Sequence, residues 1–429
     1  MGMVLGHATP RVHWSLETAQ MIGVPFTTGT VSLELGYVTV VCYLTPFTYR
    51  KGGDQMYIGL DVHKKHVYAT VKRKDGRIVE QRNFENDKKS LQEFVASLRR
   101  GKHHAVLEAS SSWMQTYDFL EAQGIDVCLA HPLKLRAIAE ERIKNDRIDS
   151  ETLAELLRLD GIPKCWVPPA EIRELRNITR HRASLTRTRT QIKNEIHSLL
   201  AKKGVKAEFS DLFGKEGIEF LKSLKLNTTE RTMLTSYLKV LEPLTNEIAA
   251  TSRYITLLAN RRKEVQLLLT IPGINVYSAM LILAEIGDIK RFRSAGSLCC
   301  WAGLVTSVYK SDETVYYGRI TKQGSKWLRW ILAQCAYIAI RHPGRIRDFY
   351  LRVEKRRGNK VAIVATARKM LRIIYYMLTR NEPYRDADKL LTIRKQKAAK
   401  REARDYPVED LDKMLESMEE YRHLTWNSA

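Results

Sequence analysis

The 429-residue chain contains no C-x-x-C pair, and its six cysteines (Cys42, Cys128, Cys165, Cys299, Cys300 and Cys335) are scattered. A zinc-finger reading therefore has no support. Isolated cysteines in apolar surroundings read as small core residues of a protein kept in a reducing compartment. Long hydrophobic runs are missing too. The longest near the N-terminus, "YVTVVCYLTPF", is too short to span a bilayer and has neither the position nor the charged flank of a signal peptide. The expectation is a cytoplasmic protein with no membrane partner. Acidic residues are in deficit, 48 against 71 Lys and Arg, which leaves a net charge of +23 and a pI near 9.7. Such an excess says nothing about fold but points to a polyanionic partner. A hydrophobic fraction of 44% is enough for ordinary cores and excludes global disorder. The length suits two or three domains, and no internal repeat is visible.

Residues 1–55 carry three basic residues (Arg11, Arg50, Lys51) and three acidic ones (Glu17, Glu34, Asp54), so the whole excess belongs to residues 56–429. The first 55 residues hold no motif, and Met56 stands directly before a strong strand pattern. The simplest expectation is a physiological start at Met56 behind a dispensable extension. The alternative is an extra strand packed on the first domain.

From Met56 the pattern is orderly. Strand patterns at 56–62, 66–73 and 77–84 flank an Asp75-Gly76 turn. A helix near 87–100, a strand at "HAVLEAS", a helix near 113–123, a strand at "DVCLA" and helical sequence over 133–159 follow. Three strands followed by alternating helix and strand predict a mixed α/β sheet. Residues 170–264 read as almost wholly helical. Ile172, Leu175, Ile178, Leu185, Ile192, Ile196 and Leu199 form an apolar stripe beside a basic face. This suits a helical arm, a dimerising coiled coil or a bundle helix. "VQLLLTIPGINVYSAMLILA" (265–284) predicts two apolar helices around a P-G turn, either a plain connection or a turn that meets phosphate. "YGRITKQGSKWLRWILAQ" (317–334) reads as a basic loop entering an amphipathic helix, and 360–379 as a further helix. The tail, basic at "RKQKAAKREAR" and acidic at "VEDLDKMLESMEE", reads as a solvated end.

Asp61 sits inside an apolar strand, where a carboxylate is costly unless its charge is offset. Glu108 ends the strand "HAVLE", and Asp146 and Asp149 share a helix face at i, i+3. If the first and fourth strands are neighbours, Asp61 and Glu108 stand side by side and the helical pair can join them. Carboxylates so gathered must hold protons or bind cations, and hard ions such as Mg²⁺ take oxygen ligands. Two such ions ~3.5–4 Å apart can clamp both oxygens of a phosphodiester exchange. Taken singly, each acid has a structural explanation: Asp146 and Asp149 favour a helix N-terminus.

The strings "YIGLDVHKKHVYATV", "LEASSSWMQTYDFLEAQG" and "HPLKLRAIAEERIKNDRIDSETLAELL" resemble the DEDD, RuvC-like version of the ribonuclease H fold. More narrowly, they resemble the DEDD transposases of insertion sequences, the bridge-RNA-guided recombinases of the IS-one-ten kind. The resemblance continues through "LTIPGINVYSAMLILAEIGDIKRF" and "WAGLVTSVYKSDETVYYGRITKQGSKWLR" and spans about residues 56–385. It implies that Asp61, Glu108, Asp146 and Asp149 hold Mg²⁺, as two ions. It also implies that Ser311 is the nucleophile that becomes joined to DNA. Many relatives have Gly after this Ser, where this chain has Asp312, and Ser307 is a second candidate that matches the motif less well. Arg319, Lys322, Lys326 and Arg329 are expected to hold backbone phosphates.

The implied architecture is an extension (1–55), an α/β RuvC-like DEDD domain (56–165), a helical, coiled-coil-like linker (166–264), a mainly α C-terminal transposase domain (265–385) and a charged tail (386–429). The implied protein is a Mg-dependent DNA recombinase of an insertion element, working through a phosphoserine intermediate with DNA and a guide RNA. It acts as a homodimer or homotetramer in a prokaryotic, nucleoid-associated setting. Three rivals stand beside it. One is a Holliday-junction nuclease using water. The second is an actin-like ATPase, disfavoured because "VHKKH" follows Asp61 where a phosphate loop would need Gly. The third is a non-catalytic nucleic-acid binder.

Overall fold

The computed structural model describes residues 31–35, 38–42, 55–99, 101–110, 112–138, 145–206, 210–260, 262–311 and 314–404. Contacts divide the chain into two compact units, 1–165 and 166–429. Strands β1 (Val31–Leu35) and β2 (Val38–Cys42) pair with each other as a separate two-stranded sheet and add no strand to the main sheet.

The main sheet of the first unit contains β3 (Met56–Val62), β4 (His66–Arg73), β5 (Ile78–Glu85), β6 (His103–Glu108), β7 (Asp126–Ala130) and β8 (Lys164–Cys165). Their order is β5-β4-β3-β6-β7-β8. β3 pairs in parallel with β6, and β6 with β7, while the remaining pairs are antiparallel. The sequence accounts for the turns. The β3–β4 hairpin closes through His63 N–H to His66 C=O at 2.9 Å. The expected Asp75-Gly76 turn forms, and Gly76 takes φ of +89°, a conformation that costs glycine nothing. Helices α1 (Lys88–Ser97), α2 (Trp113–Ala122), α3 (Pro132–Ile138) and α4 (Asp146–Arg158) complete the unit. Asp87 caps α1 by accepting from Ser90 N–H, and Asn145 caps α4 by accepting from Arg147 N–H.

Among its described residues the second unit is helical apart from one hairpin. It runs α5 (Ala170–Lys202), α6 (Lys215–Ser223), α7 (Thr228–Asn260), α8 (Lys263–Leu269), α9 (Val276–Ile286), a 3₁₀ turn, α10 (Ala295–Trp301), strands β9 (Thr306–Ser311) and β10 (Thr314–Ile320), then α11 (Lys326–Ala339), α12 (Arg345–Arg357), α13 (Asn359–Arg380) and α14 (Lys389–Arg404). The apolar stripe of α5 is covered within the chain. Leu175 joins the main core of α8–α13, while Ile196 and Leu199 form a second core with α6 and α7.

The core of the second unit crosses the expected boundaries between linker, transposase domain and tail. Leu175, Ile255 and Ala259 from the supposed linker share one core with residues 265–384. The basic run 394–404 lies in α14, which packs on α7 and α8, with Ala399 buried and Lys395 Nζ donating to the carbonyls of Leu269 and Ile271 at 2.8 and 2.7 Å. Alternating Lys and Ala read as solvated because charge hides the small-residue stripe. Burial lowers the Lys395 ammonium pKa to about 8. The acidic half of the tail lies outside the described residues.

The P-G turn is also decided. Ile271 and Ile274 are fully buried, and Gly273, at φ +82°, lies against the α11 backbone at Cys335 and Ala339, where any Cβ would collide. The turn is a packed helix connection.

Candidate active site

Asp61 stands at the end of β3 with Tyr57 and Gly59 on its face, by the two-residue period of a strand. That face is covered by α4. A Cβ on Gly59 would strike the Ser150 carbonyl oxygen and the Ala154 backbone nitrogen, so only glycine lets the helix approach this closely. Val106, on the corresponding face of β6, packs with Leu153 and Leu157 of α4 and with Tyr57. The β3–β6 register pairs Leu60 with Leu107, so the next level holds Asp61 and Glu108. The first and fourth strands of the main sheet in chain order, β3 and β6, are thus neighbours. Both acids occupy the face that α4 covers.

The helix is pinned in register as well as in distance. Ser150 Oγ meets Thr70 Oγ1 at 2.7 Å in the buried layer. Lys72, almost wholly buried on β4, pairs with Glu151 at 3.3 Å and Glu155 at 3.2 Å. A hydrogen bond from Arg158, with Lys72 beside it, holds the Glu155 carboxyl down to about 2. This clamp sets the N-terminus of α4, with Asp146 and Asp149 one turn apart, beside the strand ends.

The point of convergence is His63. Its Nε2 lies 3.2 Å from Asp61 Oδ2 and 3.5 Å from Asp146 Oδ2. His66 Nε2 lies 3.4 Å from the same Asp146 oxygen, and the two imidazoles stack at 4.8 Å. Donor atoms of His63, His66 and Asp146 all fall within 4.8 Å of one another. One nitrogen touching two carboxylates marks where a cation would offset their repulsion, so the donor set fits a divalent metal. The two nitrogens also suit a borderline transition ion. Sequence reasoning passed over both histidines. The available signal was their placement: His63 two residues beyond Asp61, and His66 across a tight hairpin at the first position of β4.

The second unit holds the other expected residues. Ser311 ends β9 and pairs with Thr314, at the tip of a two-stranded ribbon. Sequence reading missed this ribbon, because β10 is exposed at six of its seven residues and lacks an apolar alternation. By strand parity Ser307 and Tyr309 share a face with Tyr316, the partner of Tyr309. Tyr309 and Tyr316 are each 67% exposed. Ser307 Oγ donates to the Arg319 carbonyl at 3.3 Å and fills the space beside Gly318.

Arg319, Lys322 and Lys326 are exposed on β10, the following loop and the first position of α11. Lys322 adopts φ +55°, unusual for a side chain with a Cβ. Its N–H donates to Gly303 C=O at 3.2 Å, bracing the loop on the end of α10. Arg329 turns inward instead, and its Nη1 donates to the carbonyls of Ala302, Gln323 and Gly324 at 3.0, 2.9 and 3.1 Å. Beneath the loop, Glu285 is 1% exposed. It accepts from Arg180 Nε at 2.7 Å and Nη2 at 2.9 Å, and from Ser325 Oγ at 2.7 Å. This triad ties α5, α9 and the basic loop together, and no sequence motif announced it. Ser311 and the carboxylates belong to different units.

Comparisons with known proteins agree with these features. A DEDD transposase model of the IS110 type, described as "Transposase", matches residues 58–203, and a model described as "Transposase IS116/IS110/IS902 family" matches residues 265–351. The transposase for insertion sequence element IS1111A of Coxiella burnetii is 28% identical over 298 residues, covering 68% of this chain and 81% of that protein. The transposase for IS1328 of Yersinia enterocolitica is 24% identical over 333 residues, covering 75% and 96%. A pilin gene-inverting protein of Moraxella bovis is 34% identical over 122 residues, covering 28% and 38%.

The mixed sheet followed by the helical unit agrees with the class that the family models give, a DNA transposase. The chain belongs to the IS110-type DEDD transposases, the recombinases of insertion elements. Among the described residues no helix is long and apolar enough to cross a membrane.

Proposed function

We propose that this transposase cuts and rejoins DNA at a composite site, with Ser311 as nucleophile and the carboxylate cluster as its electrostatic centre. The observation that carries this reading is the convergence of Asp61 and Asp146 on one point at the end of β3. The strand order, counted from β3 as 3-2-1-4-5 with the two-residue β8 as a sixth strand at the edge, supports a ribonuclease H-like, RuvC-like first unit. Asp61, Glu108, Asp146 and Asp149 would hold Mg²⁺, as two ions, with the imidazoles of His63 and His66 at its margin. Bound there, the ions would supply charge stabilisation to the pentavalent phosphate and acidify the attacking hydroxyl.

The chain's own residues do the rest. Ser311 Oγ forms a bond to phosphorus, and a deoxyribose oxygen leaves with a proton. The reverse exchange reseals a strand without added energy, since one phosphodiester replaces another. Ser307 is ill suited to this role because its hydroxyl is engaged within the ribbon. Arg319, Lys322 and Lys326 grip backbone phosphates, while Arg329 shapes the loop that presents them. The left-handed Lys322 fits a loop held in a strained form for a ligand. Since the two site halves lie in separate units, assembly as a dimer or tetramer can complete the centre. A guide RNA rests on the family resemblance alone, since a basic second unit suits DNA and RNA equally.

The test is Ser311→Ala. We expect wild type with Mg²⁺ and element-end DNA to form a protein–DNA adduct that survives denaturant, and Ser311→Ala to bind DNA normally but form no adduct, no nick and no joint. Ser307→Ala should still form the adduct. Continued cutting by Ser311→Ala would make water the nucleophile and the protein a Holliday-junction-type nuclease.

A further inference from the structure

The second unit contains one well-formed groove that neither the carboxylates nor the serine ribbon uses. It lies between the middle of α5 and the start of α11, with a volume of about 480 Å³. That is within the range of pockets that hold small organic ligands. One wall is a polar face of α5 bearing Arg187, Thr190, Gln191 and Asn194 at helical spacing. The other wall is Trp327 and Trp330, one turn apart on α11. The indoles meet edge to face at 6.2 Å, and Trp330 is 39% exposed. The Arg187 guanidinium lies 5.8 Å from the Trp327 ring centroid, and Lys326 Nζ lies 5.8 Å from it as well.

We propose that this groove is a binding site for an unpaired nucleotide of a single-stranded nucleic acid. The chemistry of the two walls is complementary to one base and its backbone. An exposed indole offers a stacking face to any base, and stacked bases are the main grip of single-strand binders. Gln191 and Asn194 each present a donor and an acceptor, and Thr190 a hydroxyl, on the opposite wall for a base edge. Arg187 and Lys326 stand at the indole pair, where a flanking phosphate would meet them. Duplex DNA keeps its bases stacked inside and cannot offer a face to Trp330. Glu195, at one end of the groove, repels phosphate and limits which end of the groove the backbone takes. The site adjoins the basic loop through Lys326, so a strand gripped by that loop has its unpaired neighbour within one residue of the indoles.

The inference rests on the nucleic-acid reading above but not on Ser311 or the carboxylates. Its test uses the full-length protein with labelled RNA and DNA strands of one sequence, and the matched DNA duplex. Binding of a single strand should quench tryptophan emission. Trp330→Ala should weaken single-strand binding by about tenfold or more, as expected for one lost stack. Trp330→Phe should restore most of it. Gln191→Ala with Asn194→Ala should change preference among homopolymers while leaving duplex binding alone. A tighter RNA or DNA arm identifies which strand the groove serves.

Equal weakening of single strand and duplex by Trp330→Ala, or no weakening of either, would overturn the proposal. So would a fall in sedimenting mass for Trp330→Ala without nucleic acid, which would make the groove a seat for a second copy. If the groove variants lose single-strand binding while Ser311→Ala still cuts, the groove stands and the serine reading falls. If they bind normally and Ser311→Ala is dead, the reverse holds.

Discussion

Gly59 decides where the acids can meet. Its missing Cβ is the space into which α4 descends, and α4 brings Asp146 and Asp149 to the end of β3. The two closest contacts a Cβ would make are with backbone atoms, which have no rotamer to change. Gly59→Ala should therefore push the helix away, costing about 1–3 kcal/mol of stability as for other overpacked sites. Strand cleavage should fall further than stability explains. Urea denaturation and a cleavage assay on the same preparation separate the two, and unchanged values in both would mean that α4 does not depend on this approach. Asp61→Asn is the complementary change, keeping shape and removing charge. Cleavage should disappear while nucleic-acid affinity stays near wild type, because the cations proposed to grip phosphate lie in the other unit. The four acids were legible in the sequence, since carboxylates at a strand interior, a strand end and one helix face stand out against an apolar pattern. His63 and His66 were not, because a histidine in a turn looks like any polar turn residue until the hairpin brings it back over Asp61 and Asp146.

At the level of elements, α4 is held by a charged clamp whose strength must follow pH. Arg158 and Lys72 hold the Glu155 carboxyl at about 2, below its ordinary value of 4.5. A carboxylate with a depressed folded pKa contributes stability that is complete above the ordinary value and is lost as pH falls through the folded one. Glu155 is about one-third exposed (34%), so solvent screens part of the effect. Glu155→Gln should thus be less stable than wild type at neutral pH, with the gap closing as pH drops from about 5 toward 2. Equilibrium urea midpoints at several pH values would show this, and a gap independent of pH would place the clamp's strength in packing. From Met56 to Ala130 the strands and helices were readable to within a few residues, because apolar strand patterns and caps such as Asp87 leave clear marks, whereas the two helices within 133–159 read as one and the two-residue β8 was too short to read. The β9–β10 ribbon was not, since a ribbon that buries little of itself has no alternation to read. Helix α14 failed for the opposite reason: its small buried face is outnumbered by lysines.

Across the whole molecule the charge is not shared evenly. Residues 56–165 hold 19 Lys and Arg against 17 Asp and Glu, whereas residues 166–429 hold 49 against 28, a net of +21 from the second unit alone. The unit that gathers acids is near neutral, and the unit that carries the serine ribbon is strongly basic. Composition alone had shown only that the excess lies beyond residue 55, and its division needed the boundary at 165. The physical consequence concerns salt. A protein that neutralises phosphates releases their counterions, and each neutralised phosphate of duplex DNA adds roughly −0.9 to the slope of log affinity against log salt. Most of that slope should come from the second unit. Its most concentrated exposed run is Lys355, Arg356 and Arg357, in the last turn of α12, followed by Lys360 at the start of α13. Replacing Lys355, Arg356 and Arg357 together by Gln should make the slope shallower by up to about 2.7 if all three meet phosphate. Asp61→Asn should leave the slope unchanged. Fluorescence anisotropy with one duplex over a range of KCl measures both. An unaltered slope in the triple variant would move the main DNA track away from the end of α12 and toward the exposed Arg319, Lys322 and Lys326 beside the serine ribbon.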